Sequence, residues 1–232
     1  MPAAWRPHPT IMEGKESMNK ELMVYVETLM KRYPILKNSE EDICRAYRIL
    51  DASYAARGKL LVCGNGGSAA DSEHIVGELM KGFCLPRNLS LALRQSLEKV
   101  DPAYGRELAD KLQGALPAIA LTGHNALSTA YLNDVDGLLC YAQQVMGYGN
   151  TGDVLLAIST SGNSKNVIYA AIAAKAKGLK VVGLTGKNGG ALVDYADVCI
   201  RVEEIETYKI QELHLPIYHC LCLMLEKRFF GQ

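Results

Sequence analysis

Two junctions of the same design constrain this chain more than any other feature. In the first, the apolar run Lys59-Leu60-Leu61-Val62-Cys63 meets Gly64-Asn65-Gly66-Gly67-Ser68, and a helical segment follows over about 69–81. In the second, Asp153-Val154-Leu155-Leu156-Ala157-Ile158 runs into Ser159-Thr160-Ser161-Gly162-Asn163-Ser164, and an alanine-rich helix follows over 165–177. A short unbroken apolar run reads as a strand covered on both faces, and such strands belong to parallel sheets flanked by helices. Residues 117–121, 180–184 and 198–202 have the same character. Five such strands alternating with helices predict one doubly wound α/β domain around a five-stranded parallel sheet.

The remaining elements attach to that sheet. Residues 15–33 carry Met18, Leu22, Val26 and Leu29 near a helical period, and Pro34 stops the run. Residues 40–57 carry Ile43, Tyr47, Leu50 and Tyr54, with Ser39 placed as an N-cap and Gly58 ending the helix. A last helix is expected over 207–228, kinked where Pro216 cannot donate to the carbonyl of Glu212. Residues 84–116 read as an insertion holding two short helices, 89–97 and 104–112, suited to a lid or an interface. Residues 1–14 read as a mobile leader, and 15–232 as a single domain.

Composition narrows the class. The chain has 232 residues, 49% hydrophobic and 22% charged, which is a globular balance rather than a disordered or fibrous one. Lys plus Arg and Asp plus Glu are both 25, so the basic excess of a nucleic-acid binder is missing. The start lacks the apolar segment of a signal peptide, and no run of eighteen apolar residues spans a membrane. Seven cysteines without a metal-type spacing predict reduced, buried thiols in a cytoplasmic protein.

Both glycine- and hydroxyl-rich loops fall at strand C-termini, where open α/β sheets bind ligands. Free amides at a helix start carry the positive end of the dipole, and Ser and Thr hydroxyls add neutral donors. That combination suits a monophosphate on a small molecule. A nucleotide P-loop lysine is missing, and Ala69 breaks a dinucleotide fingerprint. One turn further on, His74 and Glu78 are four apart on one helix face. They form a usable pair of nitrogen and oxygen ligands for a divalent ion. Gln211 and His219, eight apart on the last helix, are the second contributors to such a site. By contrast, His124 reads as a loop imidazole and His214 as helix surface or interface.

The segments CGNGGSAADSEH, LLAISTSGNSKNV, VVGLTGKNGG and IQELH resemble the sugar isomerase (SIS) domain family, most closely its phosphoheptose isomerases. The resemblance implies conversion of sedoheptulose 7-phosphate to glycero-manno-heptose 7-phosphate. It implies a zinc site of His74, Glu78, Gln211 and His219, with Glu78 as base and His219 as acid. It implies substrate contacts from Asn65, Gly66, Gly67, Ser68, Ser159, Thr160, Ser161, Ser164 and Gln211, and an Asn133-Asp134 pair nearby. It also implies a homotetramer, with sites completed by neighbouring chains. Two positions depart from the family pattern: Gly77 stands where a second glutamate is found, and Tyr208 where an aspartate is found. The competing expectation is a non-catalytic SIS module that binds a sugar phosphate or a replication-initiator-type protein.

Overall fold

The computed structural model describes residues 19–231. Five strands form one parallel sheet: β1 (Leu60–Cys63), β2 (Ala118–Ala120), β3 (Val154–Ile158), β4 (Lys180–Thr185) and β5 (Val198–Arg201). Their order is β2-β1-β3-β4-β5. Nine α-helices surround the sheet among the described residues: α1 (Lys20–Arg32), α2 (Glu40–Ala55), α3 (Gly67–Met80), α4 (Leu91–Val100), α5 (Tyr104–Lys111), α6 (Asn125–Asp134), α7 (Cys140–Tyr148), α8 (Lys165–Ala176) and α9 (Thr207–Phe230). This is the doubly wound domain expected from the strand pattern. The leader reading of 1–14 and the place of Met18 on the first helix lie outside the described residues.

Strand side chains alternate between two apolar cores. Leu60, Val62, Leu156, Ile158, Val182 and Leu184 face a core shared with α1, α2, α3 and α9. Leu61, Cys63, Leu155, Ala157 and Val181 face the opposite core, closed by Val145 of α7 and Val167, Ala170, Ala171 and Ala174 of α8. Both faces are therefore covered, which is why the strands lack a polar alternation. The chain leaves β1 for β2 on one side and returns to β3 on the other. β1 and β3 are direct neighbours, registered from Leu60 opposite Val154 to Cys63 opposite Ala157. The two loops after them thus emerge side by side at the topological switch point of the sheet. The first core also sets α3 against α9, and that packing builds the second half of the site.

Several local expectations are corrected. Ser39 does precede α2, but its hydroxyl donates to the carbonyl of Arg201 (2.6 Å) instead of capping the helix. A 3-10 turn over Pro34–Ser39 fills the gap between α1 and α2. The last helix, α9, begins at Thr207 as expected but continues past 228 to Phe230, with Pro216 inside it. His214 is not surface: it is fully buried, because α9 packs against α1, α2, α3 and β4 at once. Burial pushes its pKa down to about 4, so the ring is neutral. Five of the seven cysteines, Cys44, Cys63, Cys140, Cys220 and Cys222, are buried as expected, but Cys84 is exposed. Among the described residues no helix is long and apolar enough to cross a membrane.

Candidate functional site

A cavity of about 340 Å³ opens at the switch point, lined by Asn65, Gly66, Gly67, Ser68, Ser159, Thr160, Ser164, Thr207 and Gln211. No charged side chain lines it. The cavity touches the first residues of α3 and α9 and the N-cap of α8, the positive ends of their helix dipoles. None of the three N-caps, Gly66, Ser164 and Glu206, makes a side-chain cap hydrogen bond. Three helix N-termini aimed at one space, with hydroxyl and amide donors between them, favour a phosphate-sized anion. All three helices were expected from the sequence, but only the first two N-termini were read as part of an anion site; that of α9 was not. Thr207, at the start of α9, was the available signal.

The glycines of the first loop do separate jobs. Gly66 sits at φ 56°, where other residues are strained. At Gly67 a Cβ would collide with the side-chain amide of Gln211, so glycine here makes room for the α9 glutamine. The two anion loops are tied by a reciprocal amide pair. Asn65 Nδ2 donates to Asn166 Oδ1 (2.9 Å), and Asn166 Nδ2 donates to Asn65 Oδ1 (2.8 Å). Tyr141 donates its hydroxyl to the Gly64 carbonyl (2.6 Å). In the second loop the Ser159 hydroxyl donates to Ser164 Oγ (3.1 Å). Ser161 is exposed and turned back, its Oγ accepting from the Asn163 amide. Asn133 and Asp134 are exposed at the end of α6, bonded to each other (2.7 Å), and do not line the cavity.

Further along α3 and α9 lies a second constellation. One ligand-type atom each from His74, Glu78 and His219 falls within 4.8 Å of the others. His74 Nε2 is 3.0 Å from Glu78 Oε1 and 3.5 Å from His219 Nε2. Two imidazoles and a carboxylate form a nitrogen–oxygen donor set of the kind that holds zinc and similar divalent ions. Phe83 packs on the His219 ring (centroids 5.4 Å apart), and Tyr218 meets both rings edge-on. Burial first, then the neighbouring His74, hold the His219 pKa below its ordinary value. Gln211 stands eight residues before His219, about 12 Å along the helix axis. Its amide lies over Gly67 at the cavity wall, so the structure brings three of the four expected ligands into one cluster and sets the fourth with the anion loops.

The cations near the site are already paired. Lys81 Nζ lies 3.4 Å from Glu78 Oε2, while Lys187 pairs with Glu203 and Lys209 with Glu206. The two departures from the family pattern are open positions. A side chain at Gly77 would enter free space, and Tyr208 is exposed at the start of α9. Asp71, Tyr218, Phe83 and Asn166 join the site without any local sequence signal.

A parallel sheet with a cavity at its switch point is the architecture of the SIS domain, and the model of that family matches residues 24–101 and 107–186. The chain belongs to the SIS domain family. It is 36% identical over 209 residues to a phosphoheptose isomerase of Rhodospirillum rubrum, covering 90% of this chain and 97% of the relative. It is 40% identical over 187 residues to one from Thiobacillus denitrificans, covering 79% and 82%. The solved structure of a phosphoheptose isomerase from Francisella tularensis superposes with a TM-score of 0.67 at 31% identity, covering 90% of this chain and all of that one. Within the family, the chain is a phosphoheptose isomerase-like isomerase.

Proposed function

We propose that this chain is a metal-dependent aldose–ketose isomerase of a seven-carbon sugar phosphate. The reaction interconverts sedoheptulose 7-phosphate and glycero-manno-heptose 7-phosphate through an enediol. One observation carries the reading: the anion cavity and the His–Glu–His cluster lie on the same two helices, two turns apart. From Ser68 to His74 is about 9 Å along α3. Seven carbons at about 1.5 Å a bond span a comparable length. A phosphate at the helix N-termini therefore leaves C1 and C2 of an extended sugar beside Glu78 and His219.

In this reading Asn65, Gly66, Gly67, Ser68, Ser159, Thr160, Ser164, Thr207 and Gln211 hold the phosphate end and exclude water from it. Ser161 joins by turning inward when substrate arrives. Glu78 takes the proton from one sugar carbon and returns it to the next, while His219 Nε2 gives and accepts protons at the sugar oxygens. His74, Glu78 and His219 are the residues that would hold a divalent ion, zinc in this proposal. When bound, that ion supplies Lewis-acid stabilisation for negative charge developing on the two oxygens. The names of the relatives support the seven-carbon substrate.

The test is a panel of five- to seven-carbon ketose phosphates, run with metal-stripped and zinc-reloaded protein and followed by NMR of the products. Sedoheptulose 7-phosphate is expected to turn over fastest, to stall on chelation and to resume with zinc. Unchanged turnover after chelation would remove the metal from the reaction, and preference for a shorter sugar would move the substrate class.

We also propose a cytoplasmic homotetramer. α4, α5 and the C-cap of α5 leave Leu91, Leu93, Val100, Tyr104, Leu108 and Leu112 exposed, apolar side chains suited to burial against a second copy. Asn133 and Asp134, exposed and outside the cavity lining, then complete a neighbour's site. Light scattering at micromolar concentration is expected to give four times the chain mass; a monomeric mass would count against the assembly.

A further inference from the structure

Behind the His–Glu–His cluster runs a hydrogen-bond chain from Asp71 through Tyr218 to His74. The Tyr218 hydroxyl donates to Asp71 Oδ1 (3.1 Å), and the phenol oxygen of Tyr218 lies 3.0 Å from His74 Nδ1. A phenol has one proton. Once that proton is given to the carboxylate, the phenol oxygen faces His74 only as an acceptor. With the hydrogen on His74 Nδ1, Nε2 presents a lone pair. That lone pair points at Glu78 Oε1 (3.0 Å) and His219 Nε2 (3.5 Å). Acceptors converging on one point call for a cation between them.

The chain is costly as a purely structural feature. Tyr218 is 1% exposed, and Asp71 Oδ2 is buried with no hydrogen-bond partner among the described residues. A half-satisfied buried carboxylate destabilises a fold, and an apolar pair would fill the same space. His74 itself is exposed, and at Nδ1 its hydrogen-bond partner is the Tyr218 phenol. We propose that Tyr218 and Asp71 are positioning residues that lock His74 in the Nδ1–H tautomer, so that Nε2 is presented to the metal. The proposal rests on the reading of His74, Glu78 and His219 as a metal site. Histidine ligands are commonly oriented this way through their second nitrogen, and losing the outer partner weakens metal binding by about 10- to 100-fold.

The test uses the full chain, stripped of metal, as wild type, Y218F and D71N. Zinc affinity is measured by competition with a chromogenic chelator, on protein checked for native circular dichroism. The tautomer is read from ¹⁵N shifts of the imidazole rings, well above the ordinary histidine pKa of about 6.5. Wild type is expected to bind zinc and to hold His74 as Nδ1–H. Y218F is expected to bind about 10- to 100-fold more weakly. D71N lets the amide donate to the phenol oxygen, turns the phenol proton towards His74, and is expected to raise the Nε2–H population along with a weaker affinity. Wild-type affinity and tautomer in both variants would overturn the positioning role and leave the metal site standing. A wild type that takes up no zinc would remove both. If neither variant folds, the wild-type tautomer decides: Nε2–H at His74 would sink the proposal.

Discussion

Glu78→Gln is expected to lower turnover of the seven-carbon sugar phosphate by about 10²- to 10⁴-fold, the range for loss of a general base, with substrate binding largely kept. The substitution is nearly isosteric. Glutamine keeps a carbonyl oxygen for the contact that Glu78 makes with His74, and α3 keeps its length and caps. The phosphate cavity, two turns away, contains no part of Glu78. What disappears is the carboxylate proposed as the base, together with one proposed anionic ligand. Those two losses are separable. Excess zinc restores occupancy of a weakened site, whereas a missing base is not restored by metal at any concentration. Persistence of the defect in saturating zinc, with little change in KM, is therefore the expected outcome. Turnover within a few-fold of wild type would take Glu78 out of the chemistry.

The parts of this molecule that sequence made legible are those written in consecutive residues. Each of the five strands is built on a short apolar run, and each anion loop is a contiguous glycine or hydroxyl cluster following its strand. His74 and Glu78 share a helix turn. The illegible parts depend on residues that meet only after folding. α6 has no buried residue, so no apolar period marks its helix, and the stretch 125–148 offered no element to read. His214 looked like surface because a helix in contact with three other helices and a strand buries more than one stripe. Asn166 reaches Asn65 across 101 positions and Tyr218 reaches His74 across 144, distances over which no local pattern operates. Polar groups that hold a site together are the hardest to foresee, because each reads alone as an ordinary solvated side chain.

The largest loss of stability is expected from breaking a buried ion pair that ties 82–90 to the end of α9. Glu226 is 1% exposed and Arg87 2%, and Arg87 Nε donates to Glu226 Oε1 (2.8 Å). The carboxylate also accepts from the backbone amides of Phe83, Cys84 and Leu85 (2.7, 2.8 and 3.0 Å). The guanidinium spends its other nitrogens on the carbonyls of Leu79 (2.6 Å) and Glu78 (2.8 Å), and lies 4.7 Å from the Phe230 ring centre. Removing one partner of such a pair strands the other in the core, at a cost of about 3–5 kcal/mol. Glu226→Ala is expected to reach that range, since it orphans the arginine and three amides at once. Arg87→Met combined with Glu226→Leu should recover part of the loss, because neither charge is then left unpaired, though the amides stay unsatisfied. Acid provides an independent check of sign. Burial alone would raise the Glu226 pKa, but the amides of Phe83 and Cys84 and the Arg87 charge outweigh it and hold the group below its ordinary 4.5. Its stabilisation is therefore complete above that value and lost as pH falls through the lower folded pKa. Wild type should weaken in that acid window, and the alanine variant should show a flatter profile there. The pair also reaches the chemistry: Arg87 caps the turn of α3 that carries Glu78, and Phe83, held by Glu226, packs on His219. Glu226→Ala should accordingly lose activity at temperatures where it is still folded, and full activity in a folded variant would detach this anchor from the site.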